Sequence, residues 1–309
     1  MREGSWGGPD CRNYVALEVH LYETLAWSLL VLGSYRLFRI DKLLFRFDKK
    51  VHELLPKPQM ETGTQGDVTG YLNTLERFLD VLLCFMHLTI FLFLLYFNTS
   101  SHSLINILQP CHVVLVIQMY ALYSTGRLGV LIGVLLLPMT FGSLMATIWS
   151  ITDGLSEPYE HETFWLLHIL IQITTLYLLV RKNFAAYKLC SLSHLSVGNW
   201  LNLIYVWWFV EPLNTYFSVN LNFMLCPVEV MTSVLNIFPE YIVNFPSYRT
   251  FVCTSYIILS LLTSYVYVLV AGVLFFATSF VFHLGPSLAA VDRGEYADNK
   301  HVAMVKKKD

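Results

Sequence analysis

Charge is what this chain most lacks. Asp, Glu, Lys and Arg make up 14% of its 309 residues, where a soluble domain carries roughly 25%. Apolar residues make up 55% and the mean hydropathy is +0.54, so most of the chain faces lipid or protein rather than water. A net charge of −2 leaves no electrostatic basis for a nucleic-acid partner. Cysteine is also sparse. The six residues include no C-x-x-C pair, which argues against a zinc cluster or a disulfide framework, and neither metal nor cofactor is expected. No internal repeat is apparent, and no cleavable signal peptide is expected ahead of the first apolar run.

What the chain does have is long apolar runs. About 20 mostly apolar residues cover the hydrocarbon core of a bilayer, and backbone in lipid must satisfy its own hydrogen bonds, so such runs read as helices. Seven are found: Tyr14–Ser34, Glu76–Phe97, Leu104–Ser124, Leu128–Ser150, Glu162–Val180, Val197–Phe217 and Thr250–Phe282. The expected fold class is an all-α polytopic membrane bundle of about seven transmembrane helices. Residues 1–284 form one transmembrane domain, with loops at about 35–75 and 218–249, and residues 285–309 form a tail.

Loop charge orients the bundle. Alternating the seven spans puts seventeen Lys and Arg on one side and three (Arg2, Arg12 and Arg249) on the other. The N-terminus is therefore expected in the lumen and the C-terminus in the cytosol. The chain ends KKKD. Lys306 and Lys307, three and four places from a cytosolic end, match a dilysine retrieval signal of the endoplasmic reticulum, an address read by a receptor rather than an anchor.

The chemistry concentrates at ILQPCHVV, residues Ile107–Val114. Cys111 lies seven residues into the third span and His168 six residues into the fifth. Both spans run from lumen to cytosol, which sets thiol and imidazole at a shared depth of about 9–11 Å. Glu211 falls in the same layer. Gln118 continues the Cys111 helix two turns on, and Gln172 and Thr175 continue the His168 face. Ionisable groups inside a membrane usually face a bundle interior or a wet cavity. A histidine in reach of a thiol takes its proton and leaves a nucleophilic thiolate, which forms a thioester with an ester carbonyl. A lone cysteine in an apolar helix also reads as a small packing residue, and a lone histidine as a helix-to-helix hydrogen-bond donor; the residues alone leave both readings open. His112 points about 100° from Cys111 around a helix, so adjacency does not make it the base. Asn220 and Asn222 are further candidates to flank the pair.

Cys11 in GGPDC and Cys226 in NLNFMLCP both fall on the oxidising, lumenal side, where a disulfide and two free thiols are both open. Asn98 opens the sequon NTS, but its loop is too short for a glycan to be expected there.

With GGPDC (Gly7–Cys11), LQPCHVV (Leu108–Val114), the histidine of FWLLHIL (Phe164–Leu170), NLNFMLCP (Asn220–Pro227) and the dilysine tail, the chain resembles the transmembrane protein 164 family. The resemblance implies a cysteine-dependent acyltransferase with Cys111 as nucleophile and His168 as base. It implies transfer of a polyunsaturated, arachidonoyl-like chain from phosphatidylcholine to a lyso ether phospholipid. The product would be a polyunsaturated ether phosphatidylethanolamine that promotes ferroptosis. The family is also similar to small integral-membrane hydrolases that use a threonine and a histidine. An intramembrane lipid ester hydrolase using the same pair stays open, as does a seven-helix receptor or transporter. Against the receptor, the chain has no DRY-like or NPxxY-like sequence; against the transporter, it has no inverted repeat.

Overall fold

Polar side chains hold the inside of this molecule and apolar ones cover much of its outside. The structure, a computed structural model, describes residues 15–37, 39–43, 46, 49, 68–101, 104–124, 127–148, 150, 152, 155, 157–181, 192–221 and 248–281. The longer helices among them group into seven rods in chain order. The first is α1 (Leu17–Leu37) and the second α2 (Val68–Ser100). The third joins a 3-10 turn (Leu104–Leu108) to α3 (Pro110–Tyr123). The fourth is α4 (Arg127–Leu136), a 3-10 turn (Leu137–Met139) and α5 (Thr140–Ile148); the fifth is α6 (Glu160–Arg181). The sixth runs through α7 (Leu192–Ile204), a π segment (Tyr205–Val210) and α8 (Glu211–Phe217), and the seventh is α9 (Tyr248–Val281).

Three stretches are long and apolar enough to cross a membrane: Thr74–Ser100, Glu160–Val180 and Arg249–Phe275. The chain is an all-α membrane bundle. Helix α3 has 14 residues, about 21 Å at 1.5 Å each. By itself that is shorter than the bilayer core.

Helix α6 is the hub, packed against α2, α3, α4, α5 and α9. Tyr177, late in α6, donates to the Glu76 carbonyl (3.2 Å) and Asp80 Oδ1 (3.2 Å), early in α2, so those helices are antiparallel. The main apolar core lies between α2, α3 and α6, including Ile90, Leu115, Leu122, Leu167 and Ile171. Gly198 of α7 lets another contact close: a Cβ there would stand 2.5 Å from the Leu135 carbonyl and 3.1 Å from the Pro138 ring.

Among the described residues three breaks interrupt the expected spans, each beside a proline, at Pro110, Pro138 and Pro212; the first and last bear on the site. Proline disfavours helical geometry in the residue before it, and Gln109 is extended (φ −56, ψ 138) ahead of Pro110. Leu104–Ser124 is therefore two helices, and Cys111 stands in the first turn of the second rather than two turns into one helix. In the sixth rod, Pro212 lacks the N–H that the Trp208 carbonyl would accept in an α-helix. The turn widens instead, and the Glu211 N–H bonds to the Val206 carbonyl, five residues back.

Arg249, expected in the loop before the last span, is instead wholly buried in the first turn of α9. A cation is unfavourable at a helix start, and two carboxylates compensate. Arg249 pairs with Glu211 of α8 and, at 3.2 Å, with Glu23 of α1. His20 Nδ1 lies 3.0 Å from Glu211 and also contacts Arg249. The Thr250 hydroxyl donates to Glu23 at 2.9 Å. Trp27 and Trp207 stack at 5.3 Å, and the guanidinium sits 5.3 Å from the Trp207 ring centre.

Removing one partner of a buried ion pair costs about 3–5 kcal/mol, because the remaining charge is left unmatched. Arg249→Met should lower stability by that amount, read as a fall in the thermal unfolding midpoint in detergent. Adding Glu23→Leu and Glu211→Leu should restore most of it; no recovery in the triple variant would mean the charges are not what the site depends on. Gly198→Ala should cost about 1–3 kcal/mol through forced separation of α7 from α4, read by the same melt.

Candidate active site

Cys111 owes its setting to Pro110. With Gln109 extended, the helix restarts, and its first turn reaches back no further than the Gln109 carbonyl. The His112 and Val113 N–H groups share the Gln109 carbonyl at 2.9 and 3.1 Å. The Cys111 sulfur faces the backbone N–H groups of Cys111 and His112. The thiol is free, half-buried and packed against the main core.

His168 is fixed one rod away. Its Nδ1–H donates to the Phe164 carbonyl at 2.7 Å, and its ring leans on Phe164 with centroids 4.3 Å apart. That bond leaves Nε2 as the nitrogen with a lone pair, the form a base needs. The Ser143 hydroxyl donates to the His168 carbonyl at 3.2 Å and ties this turn to α5.

Register brings the two helices level. Near the start of α3, His112 is within electrostatic reach of His168. Further along, the Gln118 amide donates to the Thr175 hydroxyl at 2.9 Å and the Ile171 carbonyl at 3.1 Å. The two contacts occur in the same chain order, so α3 and α6 are parallel. Gln118 is seven residues after Cys111 and Thr175 seven after His168. Seven residues return to nearly the same face two turns on. The bond between Gln118 and Thr175 therefore sets Cys111 and His168 at one level of the α3–α6 contact.

The other expected residues divide. His112 turns away from the thiol, its Nδ1–H donating to the Asn106 carbonyl at 2.8 Å. Gln118 is a clamp within the bundle: besides its α6 bonds, its Oε1 lies 3.1 Å from Nε2 of the buried His87. Gln172, one turn past His168, has a buried side-chain amide with no hydrogen-bond partner at either end. Glu211 belongs to the Arg249 cluster. Asn220 is buried beside the turn closed by Asn214, whose side chain pairs with both backbone groups of Leu221 at 2.8 and 2.9 Å. Asn98 is buried, donating to the Leu94 carbonyl at 2.7 Å. Cys11, Cys226, Asn222, Lys306 and Lys307 lie outside the described residues, so the suggested bridge and the retrieval signal do too. Among the described residues no group of three His, Cys, Asp or Glu is arranged to hold a metal.

Two features escaped sequence reasoning. His20 and Glu23, three residues apart in an apolar helix, signalled a buried face; their partner Arg249 did not, because it looked like a loop residue. Tyr205, whose hydroxyl donates to the Leu108 carbonyl, carried no signal in a run of aromatics. Tyr205 and Tyr256 are both within electrostatic reach of Cys111, and Tyr256 also of Cys253. Cys253 in turn is in reach of Arg249, Glu211 and Glu23, so the ion cluster adjoins the thiol's surroundings.

Gln118→Leu keeps the size of the side chain and removes the clamp, leaving His87 Nε2 facing an apolar group. The expected loss is about 1–3 kcal/mol, measured by thermal unfolding in detergent; an unchanged midpoint would show that the bond does not hold the register.

The family model of the TMEM164 family matches residues 68–267. That match takes in α2 through most of α9, with Cys111, His168, Tyr205, Glu211 and Arg249, and leaves out His20 and Glu23. No solved structure matches this fold. A match over more than half of the chain, with Cys111 and His168 inside it, means that this chain belongs to the TMEM164 family.

Proposed function

We propose that this membrane protein is a lipid acyltransferase working through a thioester on Cys111, with His168 as its acid and base. The observation that carries the reading is the register of α3 and α6, in which the Gln118–Thr175 bond holds a helix-start thiol level with an imidazole that presents Nε2. A charge buried in apolar surroundings is costly, so the thiol proton passes to Nε2 as sulfur attacks. The ester carbonyl collapses to a thioester, the C–O bond breaks, and the departing lysophospholipid hydroxyl takes the proton from the imidazolium. The acceptor hydroxyl then gives its proton to Nε2, attacks the thioester, and the thiolate leaves and is reprotonated. Gln172, its amide unmatched one turn away, offers an N–H and a carbonyl to the lipid's ester or hydroxyl. The donor and acceptor are themselves phospholipids, so the transfer is complete without a further reactant.

The family resemblance supports the finer statement: an arachidonoyl-like chain passes from phosphatidylcholine to a lyso ether phospholipid, giving a polyunsaturated ether phosphatidylethanolamine that promotes ferroptosis. The seven rods and the one-sided Lys and Arg support seven spans with a lumenal N-terminus. Lys306 and Lys307 support residence in the endoplasmic reticulum through the dilysine retrieval machinery.

The test is transfer of a labelled arachidonoyl chain from phosphatidylcholine to lyso ether phosphatidylethanolamine by the full chain in lipid nanodiscs. Cys111→Ala should abolish transfer, and His168→Gln should lower it by about a hundredfold or more. Full activity in Cys111→Ala would reject the thioester. Free arachidonate released at an equal rate whether or not the acceptor is present would make the protein a hydrolase.

A further inference from the structure

We infer that Tyr205 is a positioning residue for Cys111, holding the turn that delivers the thiol. The inference rests on the acyl-enzyme reading above and extends it to a residue on a third rod. The Tyr205 hydroxyl donates to the Leu108 carbonyl, the last of the 3-10 turn before Gln109. The Gln109 N–H goes back to the Asn106 carbonyl at 3.0 Å, and the Gln109 carbonyl takes the His112 and Val113 N–H groups of α3. The Leu108 carbonyl thus sits where one helix has stopped and the next has not begun. A carbonyl held partly out of water needs a donor, and at this point one comes from another rod.

The π segment explains how a tyrosine reaches that point. Tyr205 is its first residue, and Glu211 follows its last. Its wide turn, set by Pro212, shifts the phase of the helix between those residues, and single π turns are frequent at functional sites. Glu211 is held by Arg249 and His20. One end of the wide turn is therefore moored in the ion cluster while the other holds the carbonyl three residues before Cys111. Trp207, wholly buried between them against Trp27 and Arg249, stiffens the strut. The ring of Tyr205 also packs against the main core, so its apolar body and its hydroxyl have separable roles.

Tyr205→Phe separates them, removing one oxygen and keeping the packing. Two quantities are read on the full chain in nanodiscs: hydrogen exchange over residues 104–113, and the kcat and KM of acyl transfer per folded molecule. Exchange over 104–113 should rise while that of α6 is unchanged. The kcat should fall about ten- to a hundredfold, as for a misplaced reacting group, with KM unchanged. Unaltered exchange, or raised exchange with an unaltered kcat, would overturn the assignment. Cys111→Ala run beside it keeps the two ideas apart. An active Cys111→Ala sinks the acyl-enzyme reading itself, whereas an inactive Cys111→Ala beside a fully active Tyr205→Phe sinks the role of Tyr205 alone.

Discussion

A polar group inside a membrane bundle has no water to fall back on, so it must meet a partner on a neighbouring helix. Apolar packing brings these rods together but does not choose their register, because lipid tails are as apolar as the side chains they replace. The polar contacts choose it. Gln118 against Thr175 and Ile171 levels α3 with α6. Tyr177 against Glu76 and Asp80 sets α6 against α2. Ser260 donates to Asn199 at 2.7 Å between α9 and α7, and the Trp200 indole donates to the Val31 carbonyl at 3.0 Å between α7 and α1.

The Arg249 cluster is the strongest of these ties. It joins α1, α8 and α9, which are far apart in sequence, through four ionisable side chains. All four are buried. A buried ion pair of this kind is weak evidence for net stability, since apolar replacements can do as well. Its effect is on specificity: only one arrangement of three helix ends matches both carboxylates to one guanidinium, and every slipped arrangement strands a charge.

Proline turns these rods into a site. Each break in helical pairing lies beside one, at Pro110, Pro138 and Pro212. Pro110 restarts the helix, so that the Cys111 thiol stands in the first turn of α3. Pro212 widens the turn that sends Tyr205 to the Leu108 carbonyl. The candidate site lies beside two of these breaks, where the helical pairing of the backbone is interrupted.

Much of this was legible in the amino-acid order alone. Scarce charge and seven apolar runs gave an all-α membrane bundle, since runs of about 20 apolar residues cross lipid as helices that satisfy their own backbone. The proline before Cys111 and the expected depths of Cys111 and His168 marked the candidate site. The partners were not legible. Gln118 read as a cavity residue and is a clamp, and Arg249 read as a loop cation and is the centre of a buried cluster. A sequence records which groups need partners and at what spacing along one helix, because periodicity is local. Which helix supplies the partner depends on the rotation and register of rods distant in the chain, and those are decided only when groups from several rods are matched together.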